Sequence, residues 1–253
     1  MAGRAVARPI IVIAGGELPL KIIPARGERL PFTVRTNSLA TADVTRLSNR
    51  VTANFATFTL RGRNAGETVL EIASADGART PPIPVRIAAR VDLPAEGIDI
   101  GMLTRLFLAE VPTPASAEEL PDLRLAMTLM RVVIENRLAK PSGRWASAGA
   151  TTRIQVVRAP NQFAGFSNYP DLTDDIETKI ADVVSIANDA GDTRFARMRA
   201  HLENSIAVAG GPRPVDPTRT GLFWWKTDGA RSPGTGVVVF RSLRGNTFYR
   251  EGP

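Results

Sequence analysis

Glu110 is the residue from which chemistry is most readily built. In the stretch RLFLAEVPTPAS, residues 105 to 116, helical spacing from Met102 places Leu103, Leu106, Phe107 and Glu110 on one face, so the carboxylate points where the leucines point. An acid among apolar side chains is partly desolvated. That disfavours its charged form and raises its pKa toward the range useful to a general acid. The bland alternative is an inward-leaning glutamate neutralised by Arg124 or Arg137. Asn136 is a second polar group aimed inward, since it continues the stripe of Leu125, Leu129, Val132 and Val133 where another leucine is expected. Arg131 and Glu135 fall on the opposite face, which this pattern assigns to water. The segment APNQFAGFSNYP brings Gln162, Phe163 and Phe166 together. Such a loop suits sugar binding, with aromatics for sugar faces and amides for hydroxyls, and it equally fits a turn with both phenylalanines packed inward.

Other chemistries have little to work with. The 253 residues contain no cysteine and one histidine, His201, which excludes thiolate sites and leaves a His-rich metal centre or a Ser-His hydrolase hard to assemble. His201 lies beside Arg194, Arg197 and Asn204 and reads as a solvated surface residue. Asp174, Asp175 and Asp182 read as helix-capping and solvated acids rather than metal ligands. No metal and no cofactor is expected.

The elements that position these groups divide into two expected domains, residues 1–93 and 94–253. Before residue 90, runs such as PIIVIAG, LPLKIIP, LPFTVRT, ANFATFTLRG, ETVLEIAS and IPVRIAA alternate with Gly, Pro, Asn and Asp signals, which predicts an all-β sandwich. GRNAGETVLEIASADG, residues 62 to 77, resembles one hairpin of the bacterial immunoglobulin-like repeats. The excess charge of +7 lies entirely within residues 1–90 and would attract an anionic partner. Its only aromatics, Phe32, Phe55 and Phe58, read as core, so nucleic acid is the weakest such partner. PIIVIA is shorter than a usual signal-peptide core of about 7 to 15 residues and reads as a first strand. No apolar run approaches the roughly 20 residues that span a bilayer.

After the linker VDLPAEGIDIG the pattern turns helical. Helices are expected from Met102 to Glu110, from about Leu123 to Leu138, from Thr173 to Gly191 and from about Thr193 to Val208. TTRIQVV reads as a short strand. FWWKTDG, GVVVFRS and NTFYRE predict a small terminal sheet with a tight RGN turn. Trp224 and Trp225 fit either a core wedge or a stacking platform.

Four segments of this half, LFLAE, VVIENRL, APNQFAGF and GNTFYRE, stand in the order of motifs found in spore-cortex-lytic cell-wall hydrolases of the SleB type. The resemblance covers residues 101 to 251. It implies a lysozyme-like α+β domain, mainly helical, that cleaves the glycan strand of peptidoglycan as a lytic transglycosylase. Matched by motif, Glu110 is the catalytic acid, Asn136 and Arg137 are the helix-end pair, Gln162 and Phe163 belong to the loop, and Asn246, Phe248 and Tyr249 to the closing strand. Glu119, Asn136, Gln162, Phe163, Phe166 and Tyr249 are then expected to bind substrate. Ala109 stands where the family has glycine. PTPASAEE replaces the segment leading to a second acid, for which Glu118 or Glu119 could substitute in a hydrolysing muramidase. A binding module without catalysis is the other alternative. With peptidoglycan as substrate and no clear signal, the expectation is an antibacterial effector or phage lysin, made in the cytoplasm and delivered to the periplasm or wall. Its further partners would be secretion machinery or an immunity protein.

Overall fold

A computed structural model describes residues 9–23, 31–46, 55–75, 77, 79–140, 147, 149–160, 162–228 and 234–252. The chain forms two compact units, Met1–Arg90 with Asn188–Thr193, and Val91–Ala187 with Arg194–Pro253.

The first unit contains β1 (Ile10–Ile13), β2 (Glu17–Ile22), β3 (Thr33–Thr36), β4 (Ala42–Arg46), β5 (Ala56–Gly62), β6 (Gly66–Ala73) and β7 (Ile83–Ala88). A four-stranded sheet has the order β1-β7-β6-β3, and a three-stranded sheet the order β2-β5-β4. Only the β1–β7 pair is parallel among these pairings. Alternation drives the packing: in β6, Thr68, Leu70 and Ile72 are buried while their neighbours are not. Leu70, Ile72, Val85 and Ile87 join Phe58, Leu60 and Ala42 of the other sheet in one core.

The second unit contains α1 (Asp99–Glu110), α2 (Leu120–Ala139), α3 (Arg153–Arg158), α4 (Asp174–Ala187), α5 (Phe195–Gly210), and β8 (Leu222–Thr227), β9 (Val237–Leu243) and β10 (Asn246–Glu251). The strands form an antiparallel sheet in the order β8-β10-β9. The turn into β10 uses Arg244 and Gly245, both at positive φ (43° and 81°), the pairing that a two-residue hairpin demands. Helix α1 packs against α4 and α5, and α2 against α5 and β8. Every residue of α1 from Gly101 to Leu108 is buried. Truncating Leu106 or Phe107, both fully enclosed, to alanine would cost about 3–5 kcal/mol. At the start of α1 a side chain on Gly101 would place its Cβ 1.9 Å from the carbonyl oxygen of Ala95, so only glycine fits.

The fold class departs from expectation. Among the described residues the chain is a mixed α/β protein with three sheets and five helices, and its second unit is not the mainly helical lysozyme-like domain that was expected. The terminal strands are no appendage: they pack on α2 and supply side chains to the end of α1.

Three local expectations are also corrected. Residues 153–158 form a helix rather than a strand, because Thr152 and Gln155 make a reciprocal capping box at its start. Arg131 and Glu135 are buried rather than wet. Glu135 accepts from Arg153 Nε at 2.8 Å and lies 3.5 Å from Arg131 Nε, and Arg153 also reaches Asp99 at 2.8 Å. Mutual neutralisation lets these charges leave water. His201, read as a surface residue, is fully buried in α5, and neither ring nitrogen has a hydrogen-bond partner among the described residues. Burial and the nearby Lys179 charge lower its pKa to about 4, so it is neutral at pH 7.

Candidate active site at the end of helix α1

Helix α1 stops at Glu110 for a steric reason. Val111 precedes Pro112, which disfavours helical geometry, and Val111 adopts φ −91°, ψ 135°. A carboxylate at this end of a helix meets the negative pole of the helix dipole and a set of unpaired carbonyls. The last turn of α1 contains no basic residue. The missing cation comes from α4 instead. Lys179 Nζ donates to the carbonyls of Ala109 (2.6 Å) and Val111 (3.1 Å), and Asn246 Nδ2 at the start of β10 donates to the carbonyl of Glu110 itself (3.2 Å). Three consecutive carbonyls are thereby held by two side chains distant in sequence.

The Glu110 side chain is half-buried and accepts a hydrogen bond from Trp225 Nε1 at 3.3 Å. Burial raises its pKa, while the Trp225 hydrogen bond and the Lys179 charge partly oppose the rise. Among the described residues it forms no ion pair with Arg124 or Arg137. Lys179 pays for its position with a lowered pKa, caused by burial and offset by the charge of Glu110.

Glu110 faces a cleft of about 270 Å³ lined also by Arg137, Gln162, Phe163, Trp224, Trp225 and Lys226. The rings of Phe163 and Trp225 stack with centroids 4.9 Å apart. Beside Phe163, Arg137 donates from Nε to the carbonyl of Phe223 (2.9 Å) and from Nη1 to Gln162 Oε1. Its guanidinium lies 4.7 Å from the Trp224 ring centroid and 5.6 Å from that of Phe163. Burial lowers the Arg137 pKa to about 10. Trp225 is packed in the core, and both tryptophans line the cleft.

The expected site residues therefore separate. Glu110, Gln162 and Phe163 share the cleft. Asn136 is elsewhere engaged, donating to Asp216 and to the carbonyl of Leu222 (2.9 Å). Burial pushes the Asp216 carboxyl up, but hydrogen bonds from Leu222, Thr218 and Asn136 outweigh this and hold it below the ordinary range. Asn136 thus ties α2 to the chain entering β8. Phe166 is fully buried and stacks near Tyr169, with centroids 6.1 Å apart, and Tyr249 is buried in β10. Neither lines the cleft. Glu119 accepts from the backbone N–H of Ala115 at 2.9 Å and from Arg244 Nη1 at 3.2 Å, while Glu118 is exposed; neither acid lines the cleft. Among the described residues no group of three His, Cys, Asp or Glu could hold a metal ion.

Sequence reasoning missed Lys179. Its signal was present: Ile176, Lys179, Ile180 and Val183 follow the spacing of one buried face, so a lysine occupies a core-facing position.

No family model and no curated protein matches the chain. Among solved structures it is similar to domains 4 and 5 of the S-layer protein SbsC, at 21% identity over 33% of this chain and 49% of that one, with a TM-score of 0.28. It is also similar to SbsC domains 5–6 (19% identity, 36% and 44% covered, TM-score 0.29) and 4–9 (19%, 36% and 14%, TM-score 0.30). The chain thus spans about half the length of the first of these. Among the described residues, no helix is long and apolar enough to cross a membrane.

Proposed function

We propose that the second unit cleaves the glycan strand of peptidoglycan as a lytic transglycosylase, with Glu110 as general acid and then general base. The observation that carries this reading is the cleft itself: Glu110 is its one lining carboxylate among the described residues, its protonated form is favoured by burial, and a stacked Phe163–Trp225 pair stands beside it. The motif resemblance to SleB-type hydrolases supports the choice of substrate.

Protonated Glu110 gives its proton to the glycosidic oxygen as the bond to the muramoyl C1 breaks and an oxocarbenium-like centre develops. The resulting carboxylate takes the proton of the muramoyl 6-hydroxyl, whose oxygen bonds to C1 and closes a 1,6-anhydro ring. Proton and electron pairs balance within the strand, no water is consumed, and Glu110 ends protonated as it began. One carboxylate suffices, which agrees with Glu118 and Glu119 lying outside the cleft lining. Hydrolysis by a muramidase route needs a second carboxylate in reach of C1.

Because the substrate lies beyond the cytoplasmic membrane, the proposal includes delivery by a secretion system or release by a phage, with the basic first unit serving to dock or to hold the protein on an anionic wall. Purified sacculi digested with the wild type and with Glu110→Gln, with products identified by mass spectrometry, test the chemistry. Anhydro-muramoyl ends that disappear in the variant are expected. Reducing ends would replace the reading by hydrolysis, and intact sacculi by a binding module.

A further inference from the structure

We propose that Arg137 is a seat for a carboxylate carried by the substrate strand, so that the cleft selects charged glycan over neutral N-acetylhexosamine polymer. This rests on the reading that the cleft holds a glycan. Arg137 is 2% exposed, and buried guanidinium groups ordinarily acquire a carboxylate partner. The other buried arginines among the described residues obey that rule: Arg105 lies 3.2 Å from Glu96, and Arg131 lies 3.5 Å from Glu135. Arg137 has no acidic partner among the described residues.

What Arg137 has instead is a rigid mount. Its Nε and Nη1 donate to neutral acceptors, and its flat faces lie beside the Trp224 and Phe163 rings. Nη2 makes no hydrogen bond among the described residues, and it is not one of the sealed, unsatisfied atoms of the interior. The outer edge of the guanidinium is therefore the part left for a ligand, and its remaining N–H groups suit a planar carboxylate. The charge around it fits this use. Lys226 lines the same cleft, and the one lining acid, Glu110, is biased toward its neutral form. An incoming anion would also supply the counter-charge whose absence leaves burial unopposed in lowering the Arg137 pKa.

On a peptidoglycan strand two groups carry this chemistry: the lactyl carboxylate of a muramoyl residue stripped of its peptide, and the carboxylates of the stem peptide. Binding is best measured by quenching of tryptophan fluorescence in the full-length Glu110→Gln protein, which separates recognition from turnover. The ligands are an N-acetylglucosamine oligomer, peptide-free glycan strands and peptide-bearing strands, the two kinds of strand also after their carboxylates are converted to methylamides. At least one carboxylated ligand should bind about tenfold or more tighter than its amidated form and than the neutral oligomer. Added salt should narrow that gap. Preference for peptide-free strands assigns the lactyl group, and preference for peptide-bearing strands assigns the stem. The gap should close in Arg137→Gln and persist in part in Arg137→Lys. If Arg137→Gln does not fold, the amidated ligands decide the matter without it. Equal affinity for charged and amidated strands would overturn the carboxylate seat while leaving the glycan reading intact, whereas no binding to any ligand would overturn both.

Discussion

Glu110 and Glu119 bracket the same short segment of chain, yet their surroundings oppose each other. Glu110 closes a helix that is buried along most of its length, accepts one hydrogen bond from Trp225, and has its pKa raised by burial. Glu119 sits in a 3₁₀ turn, where it takes the Ala115 N–H and Arg244, and Arg244 also reaches Asp122 at 3.3 Å. One carboxylate has a single hydrogen-bond donor and no ion pair among the described residues, and the other is engaged in closing a loop. The difference teaches that proximity in sequence says little about which acid does chemistry. What matters is whether the neighbours stabilise the proton or the charge.

The comparison is broken most severely at Glu110. Glu110→Gln keeps the size and the possibility of a Trp225 contact but removes the transferable proton, and sacculus cleavage should fall by about 10² to 10⁴-fold. Circular dichroism should show the fold retained. A variant that still released anhydro ends at the wild-type rate would remove Glu110 from the mechanism.

His201 sharpens the same lesson from α5, as a titratable group whose burial keeps it neutral. Its folded pKa is about 4 against an ordinary 6.5, so the unfolded chain takes up the proton first as pH falls. The stabilisation is complete above about pH 6.5 and drains away as the pH drops toward 4. The loss amounts to about 3 kcal/mol. Chemical unfolding of the wild type and of His201→Leu, compared at pH 7 and pH 4, should reveal this difference as a pH dependence missing from the variant. Equal pH dependence in the two proteins would mean that His201 is solvated.

Glu110 was legible in sequence because helical spacing and the following prolines are local signals. Its support was not. Trp225 is 115 residues away, Asn246 is 136 away, and Lys179 is 70 from Ala109. No periodicity within one helix reports a hydrogen bond from another. The errors share this cause. Arg131 and Glu135 look like a wet face until Arg153 and Asp99 arrive to neutralise them, and Asn136 looks like a ligand-binding amide until Asp216 claims it. The strands of the first unit were readable because alternation is an intrinsic property of a half-buried sheet. The capping box that makes residues 153–158 helical was also local, and Thr152 and Gln155 could have been recognised in advance.

Lys179 tests whether the Glu110 environment is set by charge or only by geometry. Replacing it with methionine removes a cation from the C-terminal pole of α1, which should cost about 1 kcal/mol of stability. It also removes an influence that lowers the Glu110 pKa. Activity that needs protonated Glu110 should then extend to higher pH, because the alkaline limb of the rate profile follows that pKa. Lys179→Arg retains the charge and should keep the limb near its original place. A carbon-detected titration of the Glu110 carboxyl reads the same shift without reference to catalysis. An unmoved titration in Lys179→Met would leave Lys179 a purely structural cap.

The smallest effect is expected at Glu119. Its ion pair with Arg244 is partly exposed, with side chains 23% and 39% accessible, and such pairs are worth about 0–1 kcal/mol. Glu119→Gln keeps an oxygen for the Ala115 N–H and a group that can still meet Arg244. Stability should therefore shift by less than about 1 kcal/mol, and the rate of sacculus cleavage and the fraction of anhydro ends should stay near wild type. A muramidase with Glu119 as its base or nucleophile would instead lose most of its rate, and the reducing ends among its products would vanish with the carboxylate. The same substitution at Glu118, an exposed residue, should be weaker still. The contrast between Glu110 and its neighbours is thus steepest where it matters for the reaction: only the acid inside the cleft should change both rate and product.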